Sequence, residues 1–437
     1  MTINLMNPAS LRIETIVQTF GIHLKSIQIN NGSICPRDLN LMLSLVSNVE
    51  NLILSDVKTK SLENDKRRKL EDFDLQNLKS LTVKRCGRKI EDIFLKIPIQ
   101  LLKRFVSKTS NQSFTNRMVQ LHPNLEELEM DIVGDLAVSI NSLAVLKHLT
   151  VKKEPFYTSP DILINFFKNQ NQLISLDISG ITINDKVFEE MTRNIRNLES
   201  LKYIYDGLTG RQFRLLADLK KLTDLKIEFS EIENEDFNIF CNIQCLKVTH
   251  FSAVFYKEMP LTDLTLMAQN NPQLECVSFY HCNKETVKIF LNYCKNIKSF
   301  EAIILQDTET VLIPGSSLVS ANLRKFKVVH PISCHTDMVK FLITNCYNLT
   351  DLDICIFNGS IDDDYLKSIL MGMKHLKHFK LHYCDKLTDY VLDLIDEHGT
   401  KLESVHLEGC RIEESKIISK FQQRLHPIKF NSKYYGG

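Results

Sequence analysis

The sequence predicts an α/β solenoid, in which one strand, turn and helix unit is stacked many times over, and three observations carry that expectation. Residues 376–410 hold two copies of one phrase, Leu376, Phe379, Leu381, Cys384 and then Leu402, Val405, Leu407, Cys410. Between the copies, Tyr390, Val391, Leu394 and Ile395 recur at the spacing of one helix stripe, and Thr388 stands ahead of them as the N-cap. The phrase can also be followed by its second apolar position through Ile27, Leu52, Leu81, Phe105, Leu128, Leu149, Leu176, Leu201, Leu225, Leu246, Val277, Phe300, Phe326, Leu352, Phe379 and Val405. These sixteen phrases recur at a mean spacing of roughly 25 residues. No single unit buries its apolar face alone, so stacking on like neighbours is the economical solution.

That period lies in the leucine-rich-repeat window and leaves room for a true helix in each unit. The expected architecture is an α/β horseshoe, with a parallel concave sheet and convex helices. Residues 1–21 contain Ile13, Ile16, Val17 and Phe20 at helical spacing, which predicts an N-terminal amphipathic helix that starts the solenoid in mid-repeat. Residues 22–425 form the solenoid, with Leu24, Ile27 and Ile29 as its first strand. The charged stretch 56–74 reads as a solvated connection, and its run Lys66, Arg67, Arg68, Lys69 as a solvated face or a nuclear import signal. Helices are expected at 161–168, after Ser159 and Pro160, and at 185–195, 285–293, 336–344 and 363–373. Between Leu81 and Leu149 the intervals leave space for only a turn or two of helix, whereas the longer step from Leu246 to Val277 predicts one extended convex segment. Residues 426–437, with His426, Pro427, Ile428, Phe430, Tyr434 and Tyr435, are expected to fold back over the open end of the last repeat.

Composition narrows the function. A net charge of +1, from 54 basic and 53 acidic residues, gives no global attraction to nucleic acid or membrane. The twelve cysteines fit reduced packing residues: Cys86, Cys282, Cys384 and Cys410 share one phase of the repeat, where the chain turns inward. No signal-peptide pattern and no long apolar run occur, so a cytoplasmic or nuclear location is expected. Phosphate-loop, nucleophile-elbow and zinc-protease motifs are all missing, and neither catalysis nor a cofactor is expected. The histidines His382 and His406 fall on adjacent strands, but no carboxylate or cysteine at metal-ligand spacing completes a set, so no metal is expected.

Strand alternation places the residues between the apolar positions on the concave face. That face carries Lys84, Lys108, Lys152, Lys202, Lys226, Lys247, Lys327 and Lys380 among Glu129, Asp131, Asp177, Glu228, Glu301, Asp353 and Glu408. Interspersed signs suit a protein partner better than the one-sign stripe of a nucleic-acid groove. Towards the C-terminus the face gains His250, Phe251, Tyr280, His281, His330, His382 and His406, and aromatic contact area of this kind marks interface hot spots.

The C-terminal phrases, above all FKLHYCDKLTDYVLDLI from Phe379 onward, resemble the cysteine-containing leucine-rich repeats of the F-box family. The similarity is clear over residues 274–410 and weaker, though in phase, back to Leu24. The resemblance implies a substrate-binding horseshoe in a Skp-cullin-F-box ubiquitin ligase, with the Skp adaptor and cullin as partners. The chain departs from the family where the F-box would stand, because residues 1–21 are too few for one. Three readings stay open: a lost F-box, a receptor that reaches its ligase differently, or a repeat-only scaffold or inhibitor resembling ribonuclease-inhibitor-like proteins. A GTPase-activating regulator would need only an exposed arginine such as Arg85, Arg211 or Arg411.

Overall fold

The computed structural model describes residues 2–6, 19, 21–59, 75–131, 140, 142–152, 160–179, 181, 183–203, 208–229, 234–243, 247–255, 259–304, 322–330, 345–356, 361–384, 386–409 and 429–433. Two compact units divide the chain, Met1–Tyr205 and Asp206–Gly437.

In the first unit the main strands are β1 (Thr2–Met6), β2 (Ser26–Asn30), β4 (Asn51–Ser55), β6 (Ser80–Lys84), β7 (Arg104–Lys108), β8 (Glu127–Asp131), β9 (His148–Lys152), β10 (Ser175–Asp177) and β11 (Ser200–Tyr203). Each pairs in parallel with the next, while β3 (Ser33–Ile34) and β5 (Lys58–Thr59) form a separate two-stranded pair. Register runs straight through the apolar phrase, with Ile27, Leu52, Leu81, Phe105, Leu128, Leu149, Leu176 and Leu201 in one line. None of these eight is more than 3% exposed, which is the core the phrase predicts. The start of the chain differs from expectation. Thr2–Met6 is a strand, not the opening of a helix in mid-repeat, because its alternating Ile3 and Leu5 match Ile27 and Ile29 in register. The helix expected around Ile13–Phe20 lies outside the described residues, as do the charged residues 60–74 with Lys66–Lys69.

The second unit runs β12 (Asp224–Phe229), β13 (His250–Phe255), β14 (Cys276–Cys282), β15 (Ser299–Ile304), β16 (Lys325–His330), β17 (Asp351–Ile356), β18 (His378–His382), β19 (Ser404–Glu408) and β20 (Lys429–Lys433), again all parallel and in sequence order. One phrase shifts. Leu225 pairs through Phe251 to Val277, so the tenth phrase is Val248, Phe251, Ala253, and not the one centred on Leu246. The two steps are then equal, and no extended convex segment is required there. Phe251 joins a line of touching phenylalanines: Phe213 and Phe240 at 5.0 Å, Phe240 and Phe251 at 5.8 Å, Phe251 and Phe279 at 5.9 Å, Phe279 and Phe300 at 6.0 Å, Phe300 and Phe326 at 6.0 Å. At the far end, Lys429–Lys433 extends the sheet as one more parallel strand beside β19.

The helices are α1 (Pro36–Ser44), α2 (Arg88–Phe94), α3 (Gln112–Leu121), α4 (Pro160–Lys168), α5 (Asp185–Asn194), α6 (Gly210–Leu216), α7 (Asn234–Cys241), α8 (Leu261–Asn270), α9 (Lys284–Tyr293), α10 (Asp363–Gly372) and α11 (Val391–His398). Helix α3 is ten residues long, more than the turn or two its interval suggested. Recurrent caps start them: Asn111, Asn184, Asn283 and Asp362 each accept the amide of the third residue on, and Thr209 with Gln212 makes a full capping box. Thr388 does not cap α11 directly; its hydroxyl accepts the Tyr390 amide in the turn ahead, and Tyr390 is the cap residue. The helix expected at 336–344 and the cap Ser159 lie outside the described residues. Asparagines tie repeat to repeat, with Asn77, Asn197, Asn296 and Asn322 each donating a side-chain N–H to a backbone carbonyl of the preceding repeat.

The turns after the strands explain the cysteine phase. Asn31, Asp56, Arg85, Tyr383 and Gly409 follow β2, β4, β6, β18 and β19 and all have positive φ. The left-handed step reverses the chain direction, so the next residue points inward. Cys86 and Cys384 occupy that next position, with Sγ near the carbonyls of Lys84 and His382. Cys282 sits instead in the inward row beside Ile304, and Cys410 lies outside the described residues. All nine described cysteines are free, and burial pushes the thiols of Cys86, Cys282, Cys294 and Cys346 up to about 11 or 12. No helix among the described residues is long and apolar enough to cross a membrane.

Candidate functional site on the open sheet face

Because successive strand residues point to opposite faces, each repeat offers three outward positions, and the parallel register lines them up in rows. In the second unit the third row reads Val254, Tyr280, Ile303, Val329, Cys355, His382, Glu408, each the register partner of the next. All seven are partly exposed. Five consecutive positions are thus apolar or aromatic on a face whose remaining rows are polar. An ordered strip of this kind on a solvent-facing sheet is the expected mark of an interaction surface. The middle row beside it contains Lys226, Ser252, Ser278, Glu301, Lys327, Asp353, Lys380 and His406.

The polar row is both paired and open. Lys226 Nζ lies 5.7 Å from the centre of the Tyr280 ring, over its face, a cation–π contact. Lys327 Nζ meets Glu301 at 2.5 Å. The hydroxyls of Ser252 and Ser278, adjacent in register, are buried and have no hydrogen-bond partner among the described residues.

At the C-terminal end of the strip, four side chains from three strands converge. His382 places Nδ1 3.1 Å from Glu408 Oε2 and Nε2 3.3 Å from Asp353 Oδ1. His406 Nε2 reaches the same Glu408 oxygen at 3.2 Å, and the two imidazole rings lie 5.3 Å apart. The hydrogen bond to Asp353 raises the His382 pKa above the usual histidine range, against the opposing effect of burial. The His406 hydrogen bond, and then that of His382, hold Glu408 below the usual carboxylate range. Burial pushes Asp353 up, but His382 and the charges of Lys380 and Lys327 outweigh it, leaving its carboxyl below that range too.

Of the residues singled out in the sequence, Tyr280, Lys380, His382, His406 and Glu408 stand on this face. His250 is outward and exposed at the first strand position, with Nδ1 2.9 Å from Thr249 Oγ1. Phe251 is not part of the surface: it is 3% exposed in the phenylalanine line, because the phrase it belongs to was displaced by five residues. His330 is the register partner of Ile356 at the end of β16, and its side chain lies outside the described residues. His281 is the residue skipped at the β-bulge between Tyr280 and Cys282, and its side chain lies outside the described residues. Lys247 precedes β13 and is exposed. Sequence reading missed Val254, Ile303, Val329 and Cys355, since an apolar strand residue reads as core; writing outward positions in register rows would have exposed them. It also missed that Glu408 supplies the carboxylate next to His382 and His406. Arg85 is tied to Asp56, Nε to Oδ1 at 2.7 Å, while Arg411 lies outside the described residues.

No family model and no curated protein matches the chain. Among solved structures, the chain is similar to TLR13 in its complex with ssRNA13, at 14% identity and a TM-score of 0.51, over 99% of this chain and 62% of that one. It thus spans less than two thirds of the TLR13 chain. The Rad7 and Elc1 complex in yeast aligns at 10% identity and a TM-score of 0.45, over 97% and 92% of the two chains. With its parallel strands, repeating apolar phrase and intervening helices, the chain carries the α/β leucine-rich-repeat fold.

Proposed function

We propose that the chain is a non-catalytic recognition subunit, which binds a target protein on the open face of its second unit and presents it in the manner of the F-box leucine-rich-repeat receptors it resembles. The row from Val254 to Cys355 carries this reading. Burying such a strip against a partner returns about 25 cal/mol per Å² of apolar area, while the flanking Lys, Glu and Asp residues select register and orientation. Interspersed charge favours a protein surface over a phosphate backbone. The ligase connection, through the Skp adaptor and cullin, rests on the resemblance of residues 274–410.

The test is co-purification of the full chain from cells, quantified for the Skp adaptor, cullin and any target, beside an Ile303→Glu variant. The receptor reading expects adaptor and target together from the wild type, with the target alone lost from the variant. Recovery of a target without adaptor or cullin favours the repeat-only scaffold, which the same apolar row supports. Equal recovery of every protein by the variant counts against the open face itself.

A further inference from the structure

We infer that His382, His406 and Glu408 form a binding site for one divalent transition-metal ion of the zinc class. The site follows from sheet geometry. His406 and Glu408 are two residues apart on β19 and point to the same face, and His382 on β18 is the register partner of Glu408. One ligand atom from each of the three lies within 4.8 Å of the other two. His382 Nδ1 and His406 Nε2 already stand 3.1 and 3.2 Å from Glu408 Oε2. Two donors at zinc–ligand distances of about 2.0–2.2 Å in a tetrahedral shell are separated by about 3.3–3.5 Å. Binding therefore needs only small side-chain shifts: an ion takes the place of the hydrogen bonds that now join these atoms.

A second observation points the same way. The other nitrogen of His382, Nε2, lies 3.3 Å from Asp353 Oδ1 on β17. A carboxylate behind a ligating imidazole fixes the tautomer that leaves the opposite nitrogen free for the metal and raises its basicity. Asp353 is thus a positioning residue, while the two histidines and Glu408 are the ligands. Two imidazoles and one carboxylate suit zinc, cobalt, nickel or copper, whereas magnesium and calcium prefer all-oxygen shells. The cluster is on the open face with each ligand about one-fifth exposed, so the fourth coordination position faces solvent. Lys380, register partner of both Asp353 and His406, is a positive charge next to the cluster, and Lys327, on the other side of Asp353, is already paired with Glu301. The inference does not depend on which partner the open face binds.

The experiment is a cobalt(II) titration of the purified, chelator-treated full chain in reducing buffer, followed by zinc displacement. The expected result is one cobalt per chain with the visible bands of a low-coordinate nitrogen and oxygen site and no thiolate-to-cobalt charge transfer. His382→Ala and His406→Ala should each weaken binding about 100-fold or more, and Asp353→Asn about 10-fold, with unchanged far-UV circular dichroism. Glu408→Gln, which preserves shape, should also weaken it and guards against a folding artefact. Cobalt bound equally well by both alanine variants, a thiolate band in the wild type, or no uptake at millimolar metal would each overturn the assignment.

Discussion

The two units share one backbone design and differ in what they show to solvent. In the first, the third outward row reads Asn30, Ser55, Lys84, Lys108 in register, followed by Asp131 and Lys152. In the second, the same row reads Val254, Tyr280, Ile303, Val329, Cys355. Charge pairs stand at the strand entrances of both units, singly in the second as Lys298–Glu275 and Lys377–Glu403, and as glutamates each shared by two lysines in the first. Glu50 bridges Lys25 and Lys79 at 2.7 and 2.8 Å, and Glu126 bridges Lys103 and Lys147 at 2.6 and 2.7 Å. Inward rows are apolar in both, apart from Ser107, whose buried hydroxyl pairs with that of Thr115, so the fold constrains the buried positions and leaves the outward ones open to function. On the proposed function, stability and recognition are therefore separable in this chain by row.

The largest expected effect tests the buried side of that statement. Phe279 touches Phe251, Phe290 and Phe300, and Phe279→Ala should destabilise the second unit by about 3–5 kcal/mol in chemical denaturation. Amide exchange should accelerate most in β13, β14 and β15, since repeats couple chiefly to their neighbours. A loss spread evenly over the chain would contradict repeat-wise packing.

Next come the charge bridges of the first unit. Hydrogen bonds from Lys25 and Lys79 lower the Glu50 pKa to about 2, and those from Lys103 and Lys147 lower that of Glu126 to about 2. Each folded-state pKa lies below the unfolded value, so the stabilisation is complete above the ordinary carboxylate range and is lost as pH falls through about 2. Denaturation curves across this acid range should be flatter for a Glu50→Gln, Glu126→Gln double variant than for the wild type, and high salt should shrink the difference because the bridges are exposed. The smallest effect concerns the asparagine ties: Asn296→Ala removes the bond to the Pro272 carbonyl and should cost about 0.5–1.5 kcal/mol.

Much of the buried architecture was legible because it repeats. Leu81, Leu128, Leu352 and Phe379 announce themselves through fixed apolar spacing, and each falls in its expected line. The phrase at Phe251 was missed for a physical reason. Ile243, Leu246, Val248 and Val248, Phe251, Ala253 overlap as two matches to one pattern, and the small Ala253 made the true one look weaker. Thr2–Met6 is too short for a period to emerge without its partner strand. The site was less legible still. Repeat phase put His382 and His406 on adjacent strands, but Asp353 and Glu408 join them only through the parallel register of three strands, so the carboxylates that complete the cluster went unread. Val254, Ile303 and Val329 differ from core residues only in strand phase, which one displaced phrase is enough to obscure.

The measurement that tests the central claim most directly is a side-by-side partner recovery with three forms of the full chain: wild type, Tyr280→Ala with Ile303→Glu, and Lys84→Ser with Lys108→Ser. The account predicts that the second form loses the bound target while the third retains it, both with wild-type circular dichroism. Retention by the second form together with loss by the third would contradict it and move the recognition surface to the first unit.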